Sequence, residues 1–308
     1  MRNNGAEFIP PYPTRHGDFP PLVSLIRMAR LNFLSVFSAS DFSSRILILK
    51  VLRRQIVVCN GPGHIKKAFQ EDREVMQRKS SQARHALKPL IGDGIFISDG
   101  DVWKQRRSLV VPIINGSRLK VYIPTMVQTV EEIRTSWRKR GDDAELDMQV
   151  EMANLTAEVI CRTVFSSELG RAYTSAIVEN FTRYQKSVDQ LDLLSLIGAP
   201  DWFPRPNHLR IRRSARGILN VLDEIIDRAA RQVDNSSASV LDGLMNARDD
   251  GGNRLTREAI RNEAAVMFLA AQETTANTLT WAWYLLSQSP AVRARLQQEV
   301  DKVLRDGS

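Results

Sequence analysis

The sequence lacks long apolar runs and has very little cysteine. It contains no uninterrupted apolar stretch of about 18 or more residues, so we expect no transmembrane anchor. The first 22 residues contain neither the apolar segment nor the small-residue cleavage site of a secretory signal. The two cysteines, Cys59 and Cys161, have no metal-ligand spacing and are expected to be reduced thiols. Together these absences predict a soluble, cytoplasmic protein.

Negative charge is in the minority, with 35 Asp and Glu against 43 Lys and Arg and a net charge of +8. A basic excess is compatible with nucleic-acid binding, but the sequence has no nucleic-acid-binding module. Its basic runs at 134–141 and 210–217 are typical of solvated helix faces. We therefore predict no nucleic-acid partner, since that alternative rests on charge alone and would require binding that weakens steeply with salt.

Strand-like sequence is also rare. Residues 45–60 mix β-branched and other apolar residues and run into a Gly-Pro-Gly turn, which predicts a small sheet of two short strands. A Pro-rich lead-in covers 1–21, and the sequence after Pro62 has helical periodicity almost throughout. The segment 190–208 is rich in Pro and aromatic residues and predicts an irregular loop. The predicted fold class is mainly α with a small β-sheet, in a single domain.

The strongest helical pattern lies at 256–288. Thr256 is a suitable N-cap, and Glu258 places a negative charge in the first turn. No Gly or Pro follows until Ser289-Pro290, a pair typical of the start of another helix. The pattern predicts a central helix of about 32 residues and about 50 Å. Because its middle is apolar almost all round, we expect it to be buried on most sides.

The middle of this helix, "FLAAQETTANTLTW", places an acid and alcohols in apolar sequence. Glu273 and Thr274 follow Ala270 at i+3 and i+4 and share its face. In a structural interpretation, Thr274 bonds back to the Ala270 carbonyl and Glu273 pairs with Asn277 or a neighbouring helix. In a functional interpretation, the hydroxyl holds a reactant, the carboxylate supplies protons, and small Ala270 admits a flat ligand. The residues alone leave both open.

A second constellation precedes these helices, in "IGDGIFISDGDVWKQRR". Trp103 and Arg107 stand at i and i+4 on one predicted helix. Both side chains are hydrogen-bond donors and together suit an anionic group. A cation–π stack on an amphipathic helix is the structural alternative.

These motifs together resemble the cytochrome P450 (heme-thiolate monooxygenase) family. The stretch "FLAAQETTANTLTWAWYLLSQSPAVRARLQQEV" resembles the family's long central helix, with its motif [AG]-G-x-[DE]-T-[ST], and the helix after it. "LIGDGIFISDGDVWKQRRSLVVP" resembles the loop and C helix, here 101–115. Three further stretches fit family helices in the expected order: "GPGHIKKAF", "NLTAEVICRTVF" and "VLDGLMNARDDGGNRLT". The resemblance implies a cytochrome P450-like helical fold from about residue 10.

The resemblance implies roles for four residues of the central helix. Thr274 and Glu273 would be the alcohol and acid of oxygen activation, and Ala270 would lie over the heme plane. Ala271 stands where the family motif has Gly, and we expect it to narrow the oxygen groove without abolishing binding.

The same resemblance implies the remaining cofactor and substrate contacts. Trp103 and Arg107 would bind a heme propionate. Phe96 and Met267 would line the substrate pocket, and residues 170–208 would form the lid over it.

The function implied is a heme-dependent monooxygenase that inserts one oxygen atom of O2 into an apolar small molecule. The family receives electrons from a ferredoxin-type, flavodoxin-type or reductase donor. Basic residues such as Lys104 and Arg106 are expected to face such an acidic donor.

One departure from the family concerns the metal ligand. The sequence reaches Ser308 without the family's Glu-x-x-Arg pair and axial cysteine loop, and neither cysteine has that loop's context. We therefore expect a partial domain, incomplete at the C-terminus, with no metal ligand and with Trp281 and Trp283 partly exposed. Activity would then belong to a longer chain; the alternative is a truncated, catalytically inactive remnant with at most ligand or partner binding.

Overall fold

Helices dominate the computed structural model, which confirms the predicted mainly α class. The structure describes residues 8–17, 20–51, 54–76, 78–165, 171–188, 203, 208–231 and 239–305. The strands are β1 (Ile46–Val51) and β2 (Arg54–Cys59). The helices are α1 (Leu22–Leu31), α2 (Pro62–Lys66), α3 (Arg73–Met76), α4 (Ser81–Ile91), α5 (Gly100–Val110), α6 (Gly116–Lys139), α7 (Met148–Ile160), α8 (Arg171–Ser187), α9 (His208–Arg231), α10 (Val240–Asn246), α11 (Arg257–Gln288) and α12 (Pro290–Arg305).

The small sheet is an antiparallel hairpin of β1 and β2 within the predicted 45–60. Ile46 lies opposite Cys59 at its open end. The Gly61 N–H donates to the Arg45 carbonyl at 3.1 Å, and α2 begins at the next residue. Across the described ranges this hairpin is the only sheet.

The hydrophobic core lies where α4, α7, α9 and α10 pack against α11, with α8 packed on α9. The sequence of α9 shows why, because its apolar residues recur every three or four positions and form one stripe. Its buried side chains are Ile211, Ala215, Ile218, Leu222, Ile225 and Ile226. Phe268 of α11 and Phe181 of α8 meet with ring centroids 4.3 Å apart. Burying each ring stabilises the fold by about 1.5–3 kcal/mol.

The long helix α11 has the bounds that its sequence predicts. The Thr256 side chain accepts from the Ala259 N–H at 3.2 Å and caps the helix, which runs for 32 residues to Gln288. Ala264 and Phe268 are completely buried, whereas Ala270 and most residues after it are exposed. The expectation that the middle is buried on most sides is therefore wrong. The apolar pattern records hydrophobicity, but the described elements cover only one side of the helix beyond Phe268.

The exposed half of α11 continues into α12. Trp281 is 53% exposed and Trp283 48% exposed, as the sequence predicts. In α12 no residue is buried. The two helices present a row of apolar side chains to solvent.

Three segments refine the predicted boundaries. The predicted C helix, 101–115, is helical from Gly100 and ends in a tight turn at Val111–Ile113, where Pro112 removes a backbone donor. Of the predicted lid, 170–208, residues 171–187 form the regular helix α8, and residues 170, 189–202 and 204–207 lie outside the described residues. The lead-in has no helix or strand in its described part, and α1, which was not predicted, follows it. None of the described helices combines the length and apolar character that a bilayer crossing requires.

Candidate functional site

Glu273 and Thr274 lie on the exposed side of α11, one turn after Ala270. Thr274 Oγ1 donates to the Ala270 carbonyl at 2.7 Å, the contact that the structural interpretation predicts. Gln185 of α8 donates through Nε2 to Glu273 Oε2 at 2.7 Å, so the acid pairs with a neighbouring helix rather than with Asn277. The hydroxyl keeps its lone pairs for accepting, and these contacts are therefore compatible with both interpretations.

The buried carboxylate of α11 is Glu263, whereas Glu273 is exposed although it lies in the part of the helix that was expected to be buried. The Glu263 side chain is 0% exposed, and Arg106 Nε lies 3.7 Å from its Oε1. The Ile95 N–H donates to both carboxylate oxygens at 3.1 and 3.2 Å. Burial raises the pKa of Glu263 to about 7, outweighing the opposite effects of the Ile95 N–H and Arg106.

Sequence reasoning missed Glu263, although a local signal was present. Helical spacing places it between Ile260 and Met267 on the stripe that enters the core. A carboxylate in such a stripe predicts a partner at close range. The partners come from the loop before α5 and from α5 itself, more than 150 residues earlier in the chain, and no local pattern identifies them.

The loop between α4 and α5 lies against α11 at this carboxylate. Gly92 has a φ of +52°, and a Cβ there would collide with the Asn262 side chain. A Cβ on Gly94 would lie 2.7 Å from Val266 Cγ2. Both positions require glycine for the close approach. Phe96, predicted to line the substrate pocket, follows in this loop and is 53% exposed.

Arg106 points into the protein. Its side chain is 13% exposed and lies 3.3 Å from Asp93 Oδ1 as well as beside Glu263. The expectation that it faces an electron donor is therefore wrong, because its charge is committed to an internal ion pair. Lys104 is exposed on the same helix, 3.4 Å from Asp101.

Trp103 stacks with two cations. Arg107 Cζ is 5.3 Å and Lys79 Nζ 5.5 Å from its ring centroid, which is the cation–π arrangement left open by the sequence. Arg107 has no acidic partner, and the Trp103 indole N–H no acceptor, among the described residues. Asp99 lies 2.6 Å from Arg84 and 3.9 Å from Lys79. Sequence reasoning missed Lys79 because it precedes α4 and meets Trp103 only in the folded chain.

The remaining predicted residues lie along α11. Met267 is half-buried and packs against the core, Ala271 is half-buried, and Ala270 is exposed. Within the described ranges, the structure records no direct contact between the Trp103–Arg107 pair and Glu273. The neighbour of Phe96 in the chain, Ile95, contacts α11 through its backbone N–H, which donates to Glu263.

The sequence profile of the Cytochrome P450 family matches residues 10–308. This match includes the central helix, the C helix and the elements between them. The chain belongs to the cytochrome P450 family. The resemblance inferred from the motifs is thereby confirmed, and the mainly helical fold with a small sheet agrees with it.

Similar sequences include bacterial and human cytochromes P450. Cyclooctatin synthase of Streptomyces melanosporofaciens is 31% identical over 229 residues, which cover 72% of this chain and 48% of the relative. Cytochrome P450 4F3 of Homo sapiens is 27% identical over 244 residues, which cover 71% of this chain and 46% of the relative. This P450 chain thus spans about half the length of the curated relatives it matches.

Solved cytochromes P450 share its fold. The heme domain of cytochrome P450DA superposes with a TM-score of 0.72 at 22% identity. The superposition covers 95% of this chain and 63% of that one.

Heme is the cofactor that membership of the P450 family implies, and part of the site fits it. Trp103 and Arg107 offer donors that suit a carboxylate, and Ala270 leaves the exposed side of α11 free of bulk. Neither cysteine suits the iron. Cys161 is fully buried, and burial raises its pKa to about 12, so it stays a thiol rather than the thiolate that binds metal; Cys59 ends β2. The donors of Trp103 and Arg107 therefore suit a heme carboxylate and the small Ala270 suits a flat group, whereas the thiol of Cys161 does not suit the iron.

Proposed function

We propose that this P450 chain forms the oxygen-binding and substrate-binding side of a heme-dependent monooxygenase. The enzyme would insert one oxygen atom of O2 into an apolar small molecule. The observation that supports the proposal is the accessible face of α11, where Ala270 adjoins Glu273 and Thr274 in the family's motif order. Heme, when bound, supplies the redox chemistry that activates O2.

Thr274 and Glu273 are the proposed catalytic residues. Because the Thr274 hydroxyl donates its own proton to the Ala270 carbonyl at 2.7 Å, its Oγ1 is oriented to accept a hydrogen bond from a reactant or water on the exposed face. Glu273 is held at Oε2 by Gln185, which leaves Oε1 to take up a proton from solvent and release it to that water.

The proposed heme contacts come from α5 and from the face of α11 that carries Ala270. The Trp103 indole N–H and the Arg107 guanidinium would bind a heme carboxylate, and Lys79 lies on the same ring to add positive charge. Ala270 and Ala271 would let the planar group approach α11 closely, because neither carries more than a methyl group.

The side chains near the proposed site indicate the class of substrate and of electron donor. Phe96 is exposed and Met267 half-buried, and both are apolar, as a pocket for an apolar molecule requires. The lid is assigned to 170–208, of which α8 is the described part. Lys104 is 61% exposed and suits docking of an acidic ferredoxin-type, flavodoxin-type or reductase donor.

The test is a holoenzyme in which this chain is fused to the thiolate-bearing segment of a cytochrome P450 relative. We expect the fusion to retain heme, to show the thiolate-type carbon monoxide spectrum, and to transfer one atom of isotopically labelled O2 to an apolar product. The 308-residue chain alone should lack that spectrum. A folded fusion that retains heme but never incorporates label would refute the proposed activity.

A further inference from the structure

The loop of residues 92–99 covers the most deeply buried acid of the long helix. We propose that Glu263 is a positioning residue whose protonation sets how firmly this loop, and with it Phe96, is held against α11. The consequence for substrate rests on the proposed function of Phe96; the behaviour of the loop does not.

The loop backbone contacts the Glu263 carboxylate directly. The Ile95 N–H reaches both Glu263 oxygens at 3.1 and 3.2 Å. Just before Ile95 the loop approaches α11 so closely that a Cβ on Gly92 would collide with Asn262 and a Cβ on Gly94 with Val266. Lifting the loop would therefore break the contacts together and admit water to a side chain that is otherwise 0% exposed.

The charges around Glu263 come from two elements. Arg106 of α5 lies 3.7 Å from Oε1, and Asp93 of the loop lies 3.3 Å from Arg106. Asn262 of α11 donates to Asp93 Oδ1 at 3.2 Å. Within the described residues, Arg106 and Asp93 are the charged groups that act on the Glu263 carboxyl. Arg106 is thus shared between Asp93 and Glu263, and its positive charge offsets the negative charge of the buried Glu263 only in part.

Proton binding and loop closure are therefore linked. With the loop closed, burial raises the pKa of Glu263 to about 7; once hydrated it returns towards the ordinary 4.5. The closed loop binds the proton more tightly, so acid favours closure, and opening becomes easier as the pH rises from 4.5 towards 7. Above that range the acid is ionised in both states and the effect stops growing.

Phe96 makes this equilibrium relevant to specificity. Its backbone follows Ile95, so loosening the Ile95–Glu263 contact frees an exposed aromatic side chain at the proposed pocket. A firmly held loop presents one fixed surface to substrate, whereas a loosened loop admits a wider range of shapes. The expected signature is an effect on substrate affinity and product distribution, with little change in cofactor retention.

Hydrogen exchange of the loop amides in the 308-residue chain tests the proposal directly. Protection of Ile95, corrected for the intrinsic pH dependence of exchange, should fall roughly tenfold between about pH 5.5 and about pH 7.5. In Glu263→Gln the amide oxygen still accepts from Ile95 but does not titrate, so protection should become independent of pH. Equal pH dependence in the two proteins would overturn the proposal.

Glu151→Gln is the matched control. Glu151 is also a buried carboxylate, bound by Trp137 Nε1 and Arg140 at 2.7 Å each, but it touches no residue of the loop. This variant should keep the pH dependence of Ile95; its loss there would mean that any buried acid has the same effect and would overturn the proposal.

A second variant decides the matter should Glu263→Gln fail to fold. Asp93 raises the pKa of Glu263 and is itself 55% exposed. Asp93→Asn should therefore move the midpoint of loop opening to lower pH. An unchanged midpoint would mean that Glu263 is not the group whose protonation controls the loop. Because none of these measurements needs heme, they stay informative even where the monooxygenase assignment fails.

Discussion

The side-chain amide of Gln185 on α8 donates a 2.7 Å hydrogen bond to the carboxylate of Glu273 on α11. It joins the helix proposed as part of the lid to the acid proposed as the proton carrier. The carboxylate therefore has a fixed orientation although it is exposed, and movement of α8 would alter it.

Removing this contact should affect chemistry more than stability. We expect Gln185→Ala in the holoenzyme to slow turnover several-fold, because Glu273 loses its orienting donor. The free energy of unfolding should change by no more than about 1 kcal/mol, since the bond is exposed. Turnover measured in ordinary and heavy water checks this, with Lys186→Ala as the neighbouring control. A parental rate and solvent isotope effect in Gln185→Ala would argue against an orienting role.

Heme retention should depend on the indole N–H and the guanidinium of α5. Trp103→Phe keeps the ring and loses the donor, and Arg107→Gln loses the charge. We expect each to weaken heme binding by about tenfold, the value of one lost charge-assisted hydrogen bond. Heme titrations of the fused holoenzyme measure this, and Lys104→Gln on the same helix should bind as the parent does. Unchanged heme retention in both α5 variants would show that Trp103 and Arg107 do not bind the heme carboxylate.

The stability of the chain should fall as Glu263 ionises. Its pKa is raised from 4.5 to about 7 by burial, so its contribution is fully present below 4.5 and is lost as the pH rises through 7. The loss amounts to roughly 3 kcal/mol. Denaturant unfolding at a series of pH values should show this decline in the parent chain and a flatter profile in Glu263→Gln. A parallel decline in both proteins would mean that a group other than Glu263 causes the loss of stability.

Arg106 should be a stability residue. Arg106→Gln leaves Glu263 buried without its cation, which costs about 3 kcal/mol well above pH 7, where the acid is ionised in the parent, and less at lower pH, where it is protonated. Lys104→Gln removes an exposed charge from the same helix and should cost less than about 0.5 kcal/mol. Urea unfolding compares the two, and similar costs would mean that the Arg106–Glu263 pair contributes little.

Local sequence predicts some elements fully. The bounds of α11 follow from Thr256 at one end and Ser289-Pro290 at the other, because caps act within a single turn. The hairpin is equally local, since β-branched residues and a glycine turn specify it. These signals need no knowledge of distant parts of the chain.

Burial and partnership are predicted far less well. The middle of the long helix was expected to be buried, and Glu273 within it is exposed, whereas Glu263, ten positions earlier on the same helix, is fully buried. The two differ in what packs over them: the loop before α5 covers Glu263, and beyond Phe268 the described elements lie on one side only. Hydropathy does not contain that information. Arg106 and Lys79 were misjudged or missed for the same reason, because their partners meet them only after folding.

A pair of threonine variants on α11 shows whether the exposed face of this helix carries the catalytic alcohol. Thr274 donates to the Ala270 carbonyl at 2.7 Å, and Thr280 donates to the Ala276 carbonyl at 2.8 Å and lies 3.5 Å from the Met148 carbonyl at the start of α7. Each alanine variant therefore loses one hydrogen bond to the helix backbone. The measurement is the ratio of peroxide released to product formed per electron pair in the fused holoenzyme. We predict that Thr274→Ala raises this ratio about tenfold while Thr280→Ala leaves it at the parental value; equal ratios in the two variants would mean that Thr274 is not the catalytic alcohol.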